Sequence, residues 1–154
     1  MAVEKELKDL LEQKHWTLST CESLTCGMIA DRLGGVPGVS AVYKGGFVTY
    51  CNEQKHSMAG VSEETLNRFG AVSEPCAREM CLGTAGRTGT DAAVSATGNA
   101  GPDASEGKPV GLVYIGVAVR GKASVKEYHF EGGRPEIRKQ AAEAALQDLL
   151  NRLT

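Results

Sequence analysis

The segment Cys21-Glu22-Ser23-Leu24-Thr25-Cys26-Gly27 joins an apparent strand, Trp16 to Cys21, to an apparent helix, Ser23 to Leu33. A second strand, Gly46 to Cys51, also runs directly into a helical stretch. A third strand, Asp91 to Thr97, is short and apolar, as is typical of strands buried on both faces. Strands that alternate with helices in this way predict a sheet that is parallel at least in part.

The rest of the chain completes a mixed architecture. Val110 to Arg120 and Ala123 to Phe130 resemble a hairpin around Gly121-Lys122. Further helices are predicted near the N-terminus, after Ser62, after Ser73 and over Arg134 to Leu153, and the last of these carries a continuous apolar stripe. This order predicts an α/β fold: a three-layer α/β/α sandwich with a mixed, partly parallel sheet, formed by residues 1–154 as a single domain.

Composition excludes several classes of function. The chain has 154 residues, 42% of them hydrophobic, and a formal net charge of -2. This charge creates no field that favours nucleic acid or an anionic membrane, and aromatics at 5% are too few for base stacking. No apolar run approaches the roughly 20 residues that cross a bilayer, and the charged N-terminus does not resemble a secretory signal. We therefore expect a cytoplasmic protein without nucleic-acid or membrane partners.

Cysteine and histidine spacings indicate no metal site. The five cysteines are Cys21, Cys26, Cys51, Cys76 and Cys81, an odd number without zinc or redox spacing. We expect reduced, mostly buried thiols, and the alternative is a reactive Cys26 at a helix N-terminus. The three histidines are scattered, so we predict neither a metal nor another cofactor.

Three polar segments follow the predicted strands directly and are expected to meet in one crevice beyond their carboxyl ends. They are Glu22 to Gly27, Tyr50 to Lys55 and Thr97 to Asp103. In that crevice Ser23 could act as a nucleophile, because a desolvated, neutral lysine such as Lys55 can accept its proton. Backbone amides after Ser23 could hold an oxyanion, and the Tyr50 hydroxyl could relay a proton beside it.

Each of these residues also has a plain structural interpretation. Ser23 could be a helix N-cap, Lys55 a solvated helix residue, and Tyr50 a half-buried aromatic. Glu22 could orient Lys55 or cap the helix that follows Ser23. Gly98-Asn99-Ala100-Gly101 could be an ordinary turn or a loop whose amides hold an anion, with Lys108 or Arg120 supplying a charge.

Five segments together resemble the C-terminal domain family of the competence- and damage-inducible protein CinA, whose stand-alone members are nicotinamide-nucleotide amidases. The resemblance is carried by Glu22 to Gly27, Gly46 to Lys55, Gly70 to Glu74, Gly98 to Pro102 and Lys108 to Gly111. It covers nearly the whole chain and implies hydrolysis of nicotinamide mononucleotide to nicotinate mononucleotide and ammonia. It also implies a homodimer or larger homo-oligomer, with a small nucleotide as substrate and no metal.

The resemblance assigns catalysis to Ser23, Tyr50 and Lys55. The residues that we assign to substrate binding are Thr25, Gly27, Gly46, Phe47, Thr97, Gly98, Ala100 and Gly101. Two positions depart from the family pattern, since Cys26 replaces the usual glycine and Thr97 replaces a common serine. The alternatives are an amidase for another carboxamide, a module that binds pyridine nucleotides without cleaving them, and an interaction domain.

Overall fold

The computed structural model describes residues 2–154, which form six α-helices and five β-strands. The first half contains α1 (Val3–Lys14), β1 (Leu18–Glu22), α2 (Met28–Gly34), β2 (Tyr43–Val48), α3 (Asn52–Ala59) and α4 (Glu63–Phe69). The second half contains α5 (Glu74–Thr88), β3 (Ala92–Gly98), β4 (Leu112–Val119), β5 (Lys122–His129) and α6 (Arg134–Leu153).

All five strands belong to one mixed sheet in the order β2-β1-β3-β4-β5. β1 runs parallel to both β2 and β3, and the β3–β4 and β4–β5 pairs are antiparallel. The predicted mixed, partly parallel sheet is thus confirmed. The carboxyl ends of β1, β2 and β3 lie at the same edge, because these three neighbouring strands point the same way.

Helices cover both faces of the sheet. On one face α1, α2 and α6 enclose the larger core, and the predicted apolar stripe of α6 is buried there. On the other face α5 packs along the sheet and contacts α3 and α4. Burying apolar side chains on both faces stabilises the sandwich, which confirms the three-layer architecture. Between residues 2 and 154, none of the helices combines the length and apolar character needed to cross a bilayer.

The second strand begins and ends three residues earlier than the predicted Gly46 to Cys51, whereas local signals predicted two helix starts and the hairpin well. The hydroxyls of Ser62 and Ser73 accept hydrogen bonds from backbone amides in the first turns of α4 and α5, which confirms both helix starts. The hairpin turn lies at Arg120-Gly121, one residue earlier than predicted. Both residues have positive φ angles, 51° and 83°, as the two-residue turns favoured in hairpins require.

The predicted start of the second helix at Ser23 is wrong, since α2 begins at Met28. Residues 23–27 form successive turns, in which the Cys26 amide donates to the Ser23 carbonyl and the Met28 amide to the Thr25 carbonyl. Serine is therefore not the cap of this helix. Ser23 lies on the link between strand and helix, where its side chain is free for another role.

The pairing of β1 with β2 contains a one-residue irregularity. Leu18 lies opposite Tyr43, whereas the next residue, Ser19, lies opposite Gly45, so Lys44 is an extra residue in β2. From Ser19 onward the pairing is regular, and Glu22 lies opposite Val48 at the carboxyl edge. The irregularity therefore sets which β2 residue reaches that edge beside Glu22.

Gly46 is required for the close approach of these two strands. A Cβ atom at this position would lie 1.9 Å from the carbonyl oxygen of Thr20. We expect Gly46→Ala to lower the free energy of unfolding by about 3 kcal/mol, because overpacking forces the backbone to move. Urea unfolding followed by circular dichroism measures this change. Gly86→Ala is the matched control.

In that control the new methyl group would meet no atom within 4 Å, so we expect unchanged or slightly higher stability. Equal unfolding midpoints for Gly46→Ala and the parent protein would contradict the steric explanation.

Candidate functional site

A cleft of about 250 Å³ opens at the carboxyl edge of β1, β2 and β3. The three polar segments that follow these strands all contribute to it, as expected. Its lining residues are Ser23, Leu24, Tyr50, Asn52, Lys55, Ala71, Val72, Thr97, Gly98, Asn99, Ala100, Ser105, Glu106 and Arg134. The volume lies below the roughly 300–1,000 Å³ of drug-sized pockets, so the cleft suits part of a compact ligand.

A serine and a lysine form a hydrogen bond at the floor of this cleft. The Nζ atom of Lys55 lies 2.9 Å from Ser23 Oγ and 2.8 Å from the carbonyl oxygen of Thr49. Lys55 is 2% exposed and Ser23 is 8% exposed. Because Thr49 follows β2 and Lys55 lies on the first turn of α3, the strand-to-helix junction directs the amine inward to the end of β1.

Burial changes the acidity of this lysine. Desolvation lowers the pKa of Lys55 from its ordinary value of 10.5, because the surrounding protein disfavours the charged form. Thiolates nearby would oppose this effect, but burial raises the pKa of Cys76 to about 12. That thiol is therefore neutral at physiological pH. The lowered pKa of Lys55 favours the neutral amine, which is the form that a general base for a serine requires.

Backbone amides near the serine are available to stabilise negative charge. The Ser23 amide donates to the carbonyl of Ala96 at 2.9 Å, which fixes the start of the turn. Within the described chain, the amides of Leu24 and Ala100 donate to no acceptor, and both residues line the cleft. These two amides are candidate oxyanion donors, because such donors must be unpaired and close to the nucleophile.

Glu22 caps α2 and does not orient Lys55. Its buried carboxylate accepts the amides of Gly27, Ile29 and Ala30 at 3.1, 2.9 and 2.9 Å. A negative charge at a helix N-terminus compensates the unpaired amides and the helix dipole. The capping interpretation is confirmed, and it explains why the helix begins after the serine turn and not within it.

Tyr50 does not reach Ser23, contrary to the expectation for a proton relay. Its hydroxyl accepts a hydrogen bond of 2.6 Å from Arg134 at the start of α6, and its side chain stands at the rim of the cleft, 55% exposed. Arg134 also donates to the carbonyl of Gly101 at 2.7 Å. The sequence shows Arg134 only as the first residue of a helix, so its place in the cleft could not be predicted.

The predicted segment Thr97 to Asp103, at the end of β3 and after it, contributes four residues to the cleft, one of which is Asn99. Thr97 lines it and donates its hydroxyl proton to the carbonyl of Ala71 at 2.8 Å. Gly98 and Ala100 also line the cleft. Gly101 does not, although its carbonyl anchors Arg134.

Four other predicted substrate-binding residues lie outside the cleft lining. Thr25 is fully buried, and Gly27 donates its amide to Glu22. Gly46 is packed against Thr20, and Phe47 packs against the smaller apolar cluster under α5. Gly27, Gly46 and Phe47 therefore have structural roles in this chain.

The segment 104–108 is polar, which predicts a mobile loop, but it folds back onto the cleft. The Glu106 carboxylate accepts the amides of Ala71 and Val72 at 2.9 and 3.1 Å. Lys108 donates to the carbonyls of Phe69 and Val72, so its charge serves this loop. Arg120 pairs with Asp91 and is absent from the cleft lining. Lys108 and Arg120, the two cations predicted for this loop, are therefore absent from the cleft lining, whereas Arg134 lines the cleft.

The cysteines fit the prediction of reduced, mostly buried thiols. Cys21, Cys76 and Cys81 are buried, whereas Cys26 and Cys51 are exposed, and all five are free thiols. Cys26 has a positive φ of 47°, a conformation that explains the family's usual glycine, and it does not line the cleft. No group of three or more potential metal ligands occurs among residues 2–154.

Comparison with known proteins supports the resemblance found in the sequence. The family model described as CinA C-terminal domain matches residues 1–153. A competence-damage inducible protein from Clostridium beijerinckii is 47% identical over 152 residues, covering 98% of this chain and 37% of the relative. One from Bacillus subtilis is 46% identical over 138 residues, covering 90% and 33%. The chain thus spans about a third of these relatives.

Solved structures agree over almost the whole chain. The competence damage-inducible protein A from Klebsiella pneumoniae superposes with a TM-score of 0.95 at 34% identity, covering 98% of this chain and 94% of that one. The competence/damage inducible protein from Agrobacterium tumefaciens gives 0.92 at 40% identity, covering 97% and 93%. These matches establish that the arrangement of helices and strands is shared.

Proposed function

This chain belongs to the CinA C-terminal domain family, and from that premise we propose that its cleft hydrolyses the carboxamide of nicotinamide mononucleotide. The products are nicotinate mononucleotide and ammonia. The observation that carries the proposal is the buried hydrogen bond of 2.9 Å between Lys55 Nζ and Ser23 Oγ. A serine paired with a desolvated amine is an arrangement suited to acyl transfer.

In the first half of the reaction, neutral Lys55 accepts the hydroxyl proton as Ser23 Oγ attacks the carboxamide carbon. The lysine keeps one N–H for the carbonyl of Thr49, 2.8 Å away, which aims its lone pair at the serine. The tetrahedral oxyanion is stabilised by unpaired amides such as those of Leu24 and Ala100. The C–N bond then breaks, and ammonia leaves with the proton that Lys55 returns.

In the second half, water hydrolyses the acyl-enzyme. Lys55 takes a proton from the water as its oxygen attacks the acyl carbon, and the bond from that carbon to Ser23 Oγ breaks. The same proton then returns to the serine, so the resting hydroxyl and neutral amine are restored. One base therefore serves both steps without a metal or cofactor.

The charges of the cleft support a mononucleotide as substrate. Arg134 is an exposed cation at the rim, suited to a phosphate, because a guanidinium offers a planar set of donors. The pyridinium nitrogen withdraws electrons from the carboxamide, which makes the carbon more electrophilic. Nicotinamide itself lacks both the phosphate and the ring charge.

An ammonia-release assay tests the proposal directly. The purified chain should release ammonia from nicotinamide mononucleotide and form nicotinate mononucleotide in equal amounts, as followed by a coupled dehydrogenase and by chromatography. Nicotinamide and its riboside are the matched controls and should react much more slowly. Absence of turnover on the mononucleotide, with hydrolysis of another carboxamide, would reject this substrate and keep the serine mechanism.

The pH profile should reveal the buried lysine. Only neutral Lys55 can accept the proton, so kcat/KM should rise with pH, and the midpoint should lie below the ordinary lysine value of 10.5. Rates measured between about pH 5 and 10 at saturating and limiting substrate separate this ionisation from substrate binding. A profile that falls as pH rises through this range would contradict a lysine base.

A further inference from the structure

We propose that the aromatic ring of Tyr50 is the platform on which the cationic ring of the substrate stacks, an inference that rests on the proposed function. The side chain is 55% exposed and lines the cleft. It is the only aromatic residue among those that line the cleft in the described chain. This role differs from a proton relay, because it uses the face of the ring and not the hydroxyl.

The depth of the cleft places the reacting ring next to Tyr50. Ser23 and Lys55 lie at the floor, 8% and 2% exposed, within a cavity of about 250 Å³. The carboxamide that Ser23 attacks is bonded directly to the pyridinium ring, so this ring must occupy the space immediately above the serine. In a cavity of this size, that space borders the Tyr50 side chain.

The hydroxyl of Tyr50 already has a partner. Arg134 donates to it at 2.6 Å and to the Gly101 carbonyl at 2.7 Å, which fixes the outer end of the phenol. The hydrogen bond between Ser23 and Lys55 is formed without this hydroxyl. Tyr50 is therefore a positioning residue: Arg134 holds the phenol in place, and the ring is left as a wall of the cleft.

Electrostatics favour a positive ring at this position. A cation is attracted to the electron-rich face of an aromatic ring. The Glu106 carboxylate also lines the cleft. Burial opposes its ionisation, but the amides of Ala71 and Val72 and the ammonium of Lys108 together lower the pKa of Glu106. The cleft thus offers an aromatic face and a carboxylate to the pyridinium, and a neutral ring would lose both attractions.

Calorimetry in a Ser23→Ala background tests the platform without turnover. The two probes are nicotinamide mononucleotide and the 5′-phosphate of benzamide riboside, which has a neutral ring of the same shape. Adding Tyr50→Ala should weaken binding of the cationic probe about tenfold and that of the neutral probe by less than about threefold. Adding Tyr50→Phe, which keeps the ring but loses the hydrogen bond from Arg134, should weaken binding of the cationic probe less than Tyr50→Ala does.

Kinetics of Tyr50 variants that retain the native Ser23 complete the test, and melting temperatures check that these variants are folded. Tyr50→Phe should retain a clearly higher kcat than Tyr50→Ala, because it keeps the ring and the hydroxyl takes no part in proton transfer. If Tyr50→Phe lowers kcat as far as Tyr50→Ala does, the hydroxyl is a relay and the platform is wrong. Equal losses of affinity for both probes would also reject stacking of a cation.

The two proposals fail in different ways. A parent enzyme that releases no ammonia from the mononucleotide refutes the proposed function, whatever its calorimetry. A parent enzyme that turns the substrate over, but whose affinity for the cationic probe is unchanged by Tyr50→Ala, refutes the platform alone.

Discussion

Replacing Lys55 with methionine should lower kcat for ammonia release by about 1,000-fold or more, because no other base reaches the serine. Among the described residues, Lys55 has the one side chain that forms a hydrogen bond with Ser23 Oγ. Methionine fills a similar volume without an amine, so the chain should fold normally. Its stability should not fall, since removing a buried amine also removes a desolvation cost. Steady-state kinetics and thermal melts measure the two effects.

Lys55→Arg is the matched control for this change. Arginine places a fixed positive charge near the serine and cannot lose a proton at ordinary pH, so it should be as inactive as methionine. Substantial activity in Lys55→Arg would show that the site needs the charge and not a base. Near-parental activity in Lys55→Met would refute the lysine mechanism altogether.

Ser23→Ala should also lower kcat by about 1,000-fold or more, since it removes the atom that forms the acyl-enzyme. The side chain contacts Lys55 and caps no helix, so we expect little change in the melting temperature. Affinity for nicotinamide mononucleotide should be retained, which calorimetry measures. Retained binding without turnover would show that the variant has lost its nucleophile and not its ability to bind the substrate in the cleft.

Ser23→Thr is a control of a different kind, because it keeps the hydroxyl and adds a methyl group in a site that is 8% exposed. It should retain more activity than alanine if an oxygen nucleophile is the essential feature. If the alanine variant keeps turnover comparable to that of the parent, an external water and not Ser23 attacks the carboxamide.

The layers of the fold could be predicted from sequence because they depend on local patterns. The apolar stripe of α6, the caps Ser62 and Ser73, and the hairpin before Ala123 all act within a few residues of where they appear. The start of α2 could not be found in this way. Glu22 caps that helix across five intervening residues, and the serine ahead of the helix resembles a conventional cap.

The candidate site was predictable in part for a similar reason. Ser23 and Lys55 follow β1 and β2, and Thr97 lies at the end of β3. These three strands are parallel neighbours, and general sheet geometry brings the residues together. Arg134 and Glu106 reach the cleft from a helix start and a loop that are distant in sequence. Their positions depend on how α6 and the segment 104–108 pack, which no local pattern encodes.

The extra residue in β2 has a consequence for how this family can vary. Ser23 and Lys55 follow the neighbouring strands β1 and β2. The register of these strands, which shifts after Leu18 and Tyr43, therefore determines the distance between the Ser23 hydroxyl and the Lys55 amine about four residues away, at the other end of the strands. Deleting the extra residue Lys44 would leave Ser19 opposite Gly45 and Glu22 opposite Val48. Deleting a residue between Gly45 and Val48 would instead slide the end of β2 by one position, about 3.3 Å, and turn its side chains to the opposite face. The loss of one residue would thus preserve the site at the first position and separate the serine from the lysine at the second, although every reacting side chain stays in the protein.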